Sequence, residues 1–121
     1  RYSQPITGHG WEKIARAKGQ FIYVIEHVPE PPLIFQKLIE WGAQNGFNVS
    51  DRENYFTWNM RIGYVIIASE KDNEKIRNVS NEFGIKTHKL GYVDKGPRQV
   101  LMPFTEKDEE IGEEKQVVYT P

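Results

Sequence analysis

Ser50-Asp51-Arg52-Glu53-Asn54-Tyr55-Phe56-Thr57-Trp58-Asn59-Met60-Arg61-Ile62-Gly63-Tyr64-Val65-Ile66-Ile67-Ala68 holds a helix start, a turn and a strand in one short stretch. Ser50 and Glu53 stand three apart, the spacing of a capping box, in which each side chain satisfies a free backbone N–H of the first turn. A helix is therefore predicted from Asp51 to about Trp58. Asp51 and Glu53 are read as part of that helix start, where carboxylates are favoured, rather than as catalytic acids. Ile62 to Ala68 is apolar and of strand length, and is expected to be buried on both faces.

Upstream, the spacing of Ile34, Phe35, Leu38 and Ile39 predicts a helix from about Pro32 to Ala43 with a core-facing stripe, closed by Asn45-Gly46. Pro29, Pro31 and Pro32 separate it from Gln20–Val28, a β-branched and aromatic run predicted as a strand. Trp11, Ile14 and Ala15 share one face of a short predicted helix, Trp11 to Lys18, entered through the turn Thr7-Gly8-His9-Gly10. Downstream, Ser69 caps a predicted helix Glu70–Phe83 with Ile76, Val79 and Phe83 on one side. Ile85–Val93 and Gln99–Phe104 are the last strands of the body, joined through Asp94-Lys95-Gly96-Pro97. This order predicts an α+β domain over residues 1–104: a mixed β-sheet of about four strands with helices packed on one face.

Residues 106–115 carry six acids and two lysines, a net −4, which leaves +3 for the rest of a chain whose total is −1. Residues 105–121 are accordingly expected to be an acidic tail or linker, with Gln116–Tyr119 a short strand here or on a neighbour. A near-neutral chain with a mildly basic body suits a small phosphorylated ligand, and neither nucleic acid nor a membrane is expected as a partner. There is no Cys, which excludes thiolate nucleophiles, disulfides and thiolate-bound zinc. His9, His27 and His88 lack metal-ligand spacing, so no metal site is expected and His27 and His88 read as ordinary strand residues. No apolar run reaches the length of a membrane span, and a cytoplasmic location is the expectation.

Several stretches resemble one family. Ile6-Thr7-Gly8-His9-Gly10 with Glu12 and Arg16 is similar to a segment written ITGGG…ENxPR, and Ser50–Gly63 is similar to SDEEMYRTFNMGIG. Pro31–Gly42, Lys89–Val93 and Gln99–Leu101 fit the same pattern in order. Over about residues 4–104 the chain resembles the C-terminal domain of aminoimidazole ribonucleotide synthetase (phosphoribosylformylglycinamidine cyclo-ligase) and its superfamily. The resemblance implies an ATP-dependent ring closure of formylglycinamidine ribonucleotide, in which this domain covers the substrate. It also implies that ATP and Mg2+ are held mainly by an N-terminal ATP-binding domain, which would be the chief partner. This chain has no phosphate loop of the Walker type, and by itself it is expected to be inactive. Two alternatives remain open: another ATP-using kinase or synthetase of the superfamily, or a stand-alone phosphate-binding or dimerisation module acting as a homodimer.

The candidate substrate-binding residues are Thr7, Gly8, His9, Gly10, Arg16 and Asn59. Backbone N–H groups of a glycine turn can converge on a phosphate, the Thr7 hydroxyl can donate, and Arg16 can offer a charged fork. His9 can donate or transfer a proton near neutral pH. Asn59 can read a ligand or fix the turn by bonding to backbone. His9, Lys13, Ala15, Trp58 and Arg61 depart from the pattern, and Arg61 stands where it has a glycine, a residue suited to left-handed backbone.

Overall fold

The computed structural model describes residues 1–121. The order is β1 (Tyr2–Pro5), a 3-10 helix (Gly10–Arg16), β2 (Phe21–Ile25), α1 (Leu33–Gln44), α2 (Asp51–Thr57) and β3 (Tyr64–Ile67). A 3-10 turn (Glu70–Asp72), α3 (Asn73–Glu82), β4 (Gly91–Lys95), β5 (Gln99–Lys107) and β6 (Glu114–Tyr119) follow. The fold is α+β. Four strands form a mixed sheet in the order β4-β2-β5-β6, with β2 and β5 parallel and the outer pairs antiparallel. β1 and β3 form a separate antiparallel pair. No helix is long and apolar enough to cross a membrane.

Strand alternation builds the core. Tyr23 and Ile25 of β2, Val100 and Met102 of β5, and Val117 and Tyr119 of β6 are all buried, at alternate positions along their strands. They share one core with Trp11, Ile14 and Ala15 of the 3-10 helix and Tyr55 of α2. Trp11 has no exposed surface, meets Tyr55 edge-on at 5.4 Å, and donates its indole N–H to the Asn59 carbonyl at 3.0 Å. A tryptophan that is both packed and hydrogen-bonded fixes its neighbours in distance and direction. At the other side of the sheet, a Cβ on Gly91 would lie 1.8 Å from the Val24 carbonyl oxygen, so only glycine allows β4 to lie this close to β2.

The structure revises several sequence expectations. β1 was not foreseen, because Tyr-Ser-Gln-Pro is short, polar and ends in proline. The segment expected as an α-helix from Trp11 is a tighter 3-10 helix, kinked at Ala15. β3 is not buried on both faces: Tyr64 and Ile66 are exposed, since only β1 flanks it. β2 ends at Ile25 and the strand expected at Ile85 begins only at Gly91, so His27 and His88 both lie outside strands. The expected stripe of α1 splits. Phe35 and Ile39 pack at the edge of the core, with Phe35 5.4 Å from Trp58, while Ile34 and Leu38 are exposed. The elements that cover the sheet are the 3-10 helix and α2.

Residues 105–121 form a hairpin rather than a tail or linker, and the short strand expected at Gln116–Tyr119 is present as part of β6. β5 continues to Lys107, Asp108 closes a turn by accepting the N–H groups of Glu110 and Ile111, and β6 returns antiparallel. Polarity misled here because the hairpin keeps one strongly solvated face. Glu106 supplies the anchor. Its carboxylate accepts Nε and a terminal N–H of Arg52 at 2.7 Å each, and the same guanidinium donates to the Val118 carbonyl at 3.0 Å. Tyr119 returns a bond from its hydroxyl to the Arg52 carbonyl at 2.7 Å. These bonds lock the start of α2 to the hairpin.

The hydrogen bond from Arg52, reinforced by its charge, holds the Glu106 carboxyl below the usual glutamate value. A depressed folded pKa contributes stability above the unfolded pKa of about 4.3, and that contribution is lost as pH falls through the folded value. Glu106→Gln is therefore expected to cost about 1 kcal/mol at pH 7. The gap from the unsubstituted chain should close below about pH 4. Urea unfolding at both pH values measures this, and a gap independent of pH would contradict it.

Candidate functional site

The turn before the 3-10 helix holds two consecutive residues in left-handed backbone, His9 (φ 67°) and Gly10 (φ 49°). A Cβ on Gly10 would lie 2.1 Å from the Tyr55 carbonyl oxygen and 2.5 Å from that of Phe56, so glycine lets the turn seat against the end of α2. His9 holds the same handedness without that freedom, and its ring rests edge-on to Phe56 at 5.6 Å. Gly8 faces open space.

Outside the regular elements, the backbone bonds at this turn are Ile6 N–H to the Gly63 carbonyl at 2.9 Å and Gly10 N–H to the Thr7 carbonyl at 3.0 Å. Thr7 and His9 are joined in an isolated β-bridge, the Gly8 N–H donates in none of these bonds, and all three residues are exposed. Lys13, one turn into the helix, donates from Nζ to the Thr7 hydroxyl and has no carboxylate partner. The Gly8 amide, the Thr7 hydroxyl and the Lys13 ammonium thus meet at one exposed turn, and N–H groups gathered in this way attract anions.

Of the sequence-predicted residues, Thr7, Gly8, His9 and Gly10 come together. Arg16 does not join them: it is exposed at the far end of the 3-10 helix, about 12 Å along the axis at the usual 3-10 rise. Lys13 stands beside Thr7 where Arg16 was expected, and in the sequence it was visible only as a departure from the family pattern. Asn59 acts on backbone. Its Oδ1 accepts the Arg61 N–H at 3.0 Å, and its carbonyl accepts Ile62 N–H and the Trp11 indole N–H at 3.0 Å each. That bonding holds Met60 (φ 50°) and Arg61 (φ 90°) in left-handed backbone, so Arg61 occupies a conformation that favours glycine. At α2, Ser50 Oγ accepts the Glu53 N–H at 3.3 Å, as a cap requires.

A groove of about 810 Å3 opens between β3, α3 and the chain entering β4. Its walls include Ile62, Val65 and Leu90, and Arg61, Arg77, Lys86, His88 and Lys89 line it against a single acid, Glu70. Burial, and then the charges of Lys86 and Arg61, push the His88 imidazole below its ordinary value. Sequence reading missed this cluster because its members are scattered from 61 to 89 with no local motif. No three His, Asp or Glu side chains converge on a point that could hold a metal ion.

The arrangement defines an α+β domain with an exposed glycine turn before its first helix. No family model matches the chain. Curated relatives do. It is 36% identical over 89 residues to a phosphoribosylformylglycinamidine cyclo-ligase of Methanococcus vannielii, which takes in 74% of this chain and 24% of that protein. Proteins of the same name match from Methanocaldococcus jannaschii (34% over 88 residues; 73% and 24%) and Clostridium botulinum (40% over 98 residues; 78% and 28%). The chain is thus homologous to a part of the phosphoribosylformylglycinamidine cyclo-ligases, spanning about a quarter of the length of these relatives.

The two glycines of the turn have separable roles. Gly10→Ala is expected to destabilise the chain by about 2–4 kcal/mol, from left-handed strain plus overpacking on α2. Gly8→Ala should leave the unfolding midpoint within about 0.5 kcal/mol of the unsubstituted value. Denaturant unfolding of both checks this, and equal losses would contradict the assigned geometry.

Proposed function

We propose that this chain is the substrate-covering part of a cyclo-ligase that converts formylglycinamidine ribonucleotide to aminoimidazole ribonucleotide in purine biosynthesis. The carrying observation is the exposed Thr7-Gly8-His9 turn, with the Gly8 amide outside the backbone bonds of the turn and Lys13 beside it. The relatives' name supplies the reaction. In this reading the amides and the Lys13 ammonium bind the ribonucleotide's phosphate, and the turn carries the substrate as a lid. Its service to catalysis is positioning and exclusion of water while the amide oxygen is phosphorylated and the ring closes. ATP supplies the phosphoryl group, with Mg2+, on an N-terminal ATP-binding domain. The uncovered side of α1, with Ile34, Leu38 and Trp41, offers a surface for that partner. The reading places the reaction in the cytoplasm.

The test is kinetic, in a complete cyclo-ligase carrying this domain. Lys13→Ala should raise the KM for formylglycinamidine ribonucleotide about tenfold, the loss of one charge-assisted bond. The KM for ATP should stay unchanged. An unaltered ribonucleotide KM would remove the turn from the substrate site.

A further inference from the structure

The groove between β3 and β4 is unlike the rest of the surface. Its cations are not spent on ion pairs: the four salt bridges of the chain are Arg1–Asp72, Lys37–Glu40, Arg52–Glu106 and Lys115–Asp108. Arg61, Arg77, Lys86 and Lys89 have no carboxylate partner, although all four line one cavity. Like charges gathered around one concavity repel, and a bound anion relieves that repulsion. His88 sits among them, close enough to Arg61 and Lys86 for both charges to disfavour its protonation.

Arg61 adds an independent argument. Its φ of 90° costs a side chain on the order of 1–3 kcal/mol that glycine would not incur. Nothing in the fold uses the guanidinium in return, because it makes no hydrogen bond or ion pair within the chain. The strain does have a geometric result: the turn fixed by Asn59 delivers Arg61 to the groove that Lys86 and His88 also line.

The walls decide what kind of anion fits. A volume of about 810 Å3 falls within the range of small-molecule sites. Ile67, Ile76 and Leu90, all partly exposed, offer apolar surface beside the cations. An apolar, flat body with one phosphate suits both halves, whereas inorganic phosphate engages only the charged one. We propose that this groove is a binding site for a phosphomonoester with an apolar body, of the nucleoside monophosphate class, with Arg61 and Lys86 as its phosphate ligands. The site lies apart from the Thr7–Gly10 turn and does not rest on the role given to it.

The test uses the isotopically labelled 121-residue chain titrated with adenosine monophosphate, adenosine and inorganic phosphate, read by amide chemical shifts. Adenosine monophosphate should shift Arg61, Lys86 and His88 and bind at least about tenfold more tightly than either probe alone. Arg61→Gly should weaken that binding about tenfold while leaving the thermal midpoint equal or higher, since glycine relieves the backbone. Lys86→Ala, in an exposed segment outside every helix and strand, should weaken it similarly, and it keeps the test open if the glycine variant folds poorly. Shifts confined to residues 7–13, or equal affinity in both variants, would overturn the groove site. The first of those outcomes would leave the turn's role standing, and so separates the two.

Discussion

Trp11 is the contact on which the rest of the molecule depends. It is fully buried between the sheet and α2, and its indole N–H fixes the Asn59 carbonyl. Two turns hang on that placement. On one side, the 3-10 helix presses Gly10 against the carbonyls that end α2, and this sets the Thr7–His9 amides at the surface. On the other, Asn59 organises the left-handed turn through Met60 and Arg61 into β3. The exposed glycine turn and the basic groove are therefore held by opposite ends of one packed tryptophan–asparagine contact.

The hairpin of β5 and β6 completes the sheet from the other edge. Val117 and Tyr119 bury as deeply as any residues of the body, and the Arg52–Glu106 fork joins their hairpin to α2. β5 carries a register irregularity between Leu101 and Thr105, around Pro103, which has no N–H to give the ladder. Gln116 bridges it by donating to the Met102 carbonyl at 2.9 Å. A segment of net charge −4 can thus belong to the core fold, because its charges lie on the solvent face and one of them meets a guanidinium.

How far the sequence told this story depends on where the signal was local. The capping box at Ser50 and Glu53 placed α2 within a residue, and Gln99 placed the start of β5. The four turn residues Thr7 to Gly10 were found because glycine and helix-start chemistry sit together in sequence. Lys13 was noted only as a departure from the family pattern, because its contact with the Thr7 hydroxyl is made by the folded turn and not by a sequence motif. Glu106 escaped because its partner is 54 residues away. The groove was illegible for the same reason: only the tertiary fold brings residues 61, 77, 86 and 88 to one cavity. Arg61 was visible as an arginine at a glycine position, and its φ of 90° gives that oddity a physical meaning.

The central claim is that the exposed first turn faces the anionic group of a ligand, with Lys13 beside it. A crystal structure of a complete cyclo-ligase bearing this domain, with formylglycinamidine ribonucleotide bound, tests it most directly. The account requires phosphate oxygens about 3 Å from the N–H groups of Gly8 and His9 and from Lys13 Nζ. A substrate phosphate seated elsewhere, with that turn bare to solvent, would contradict it.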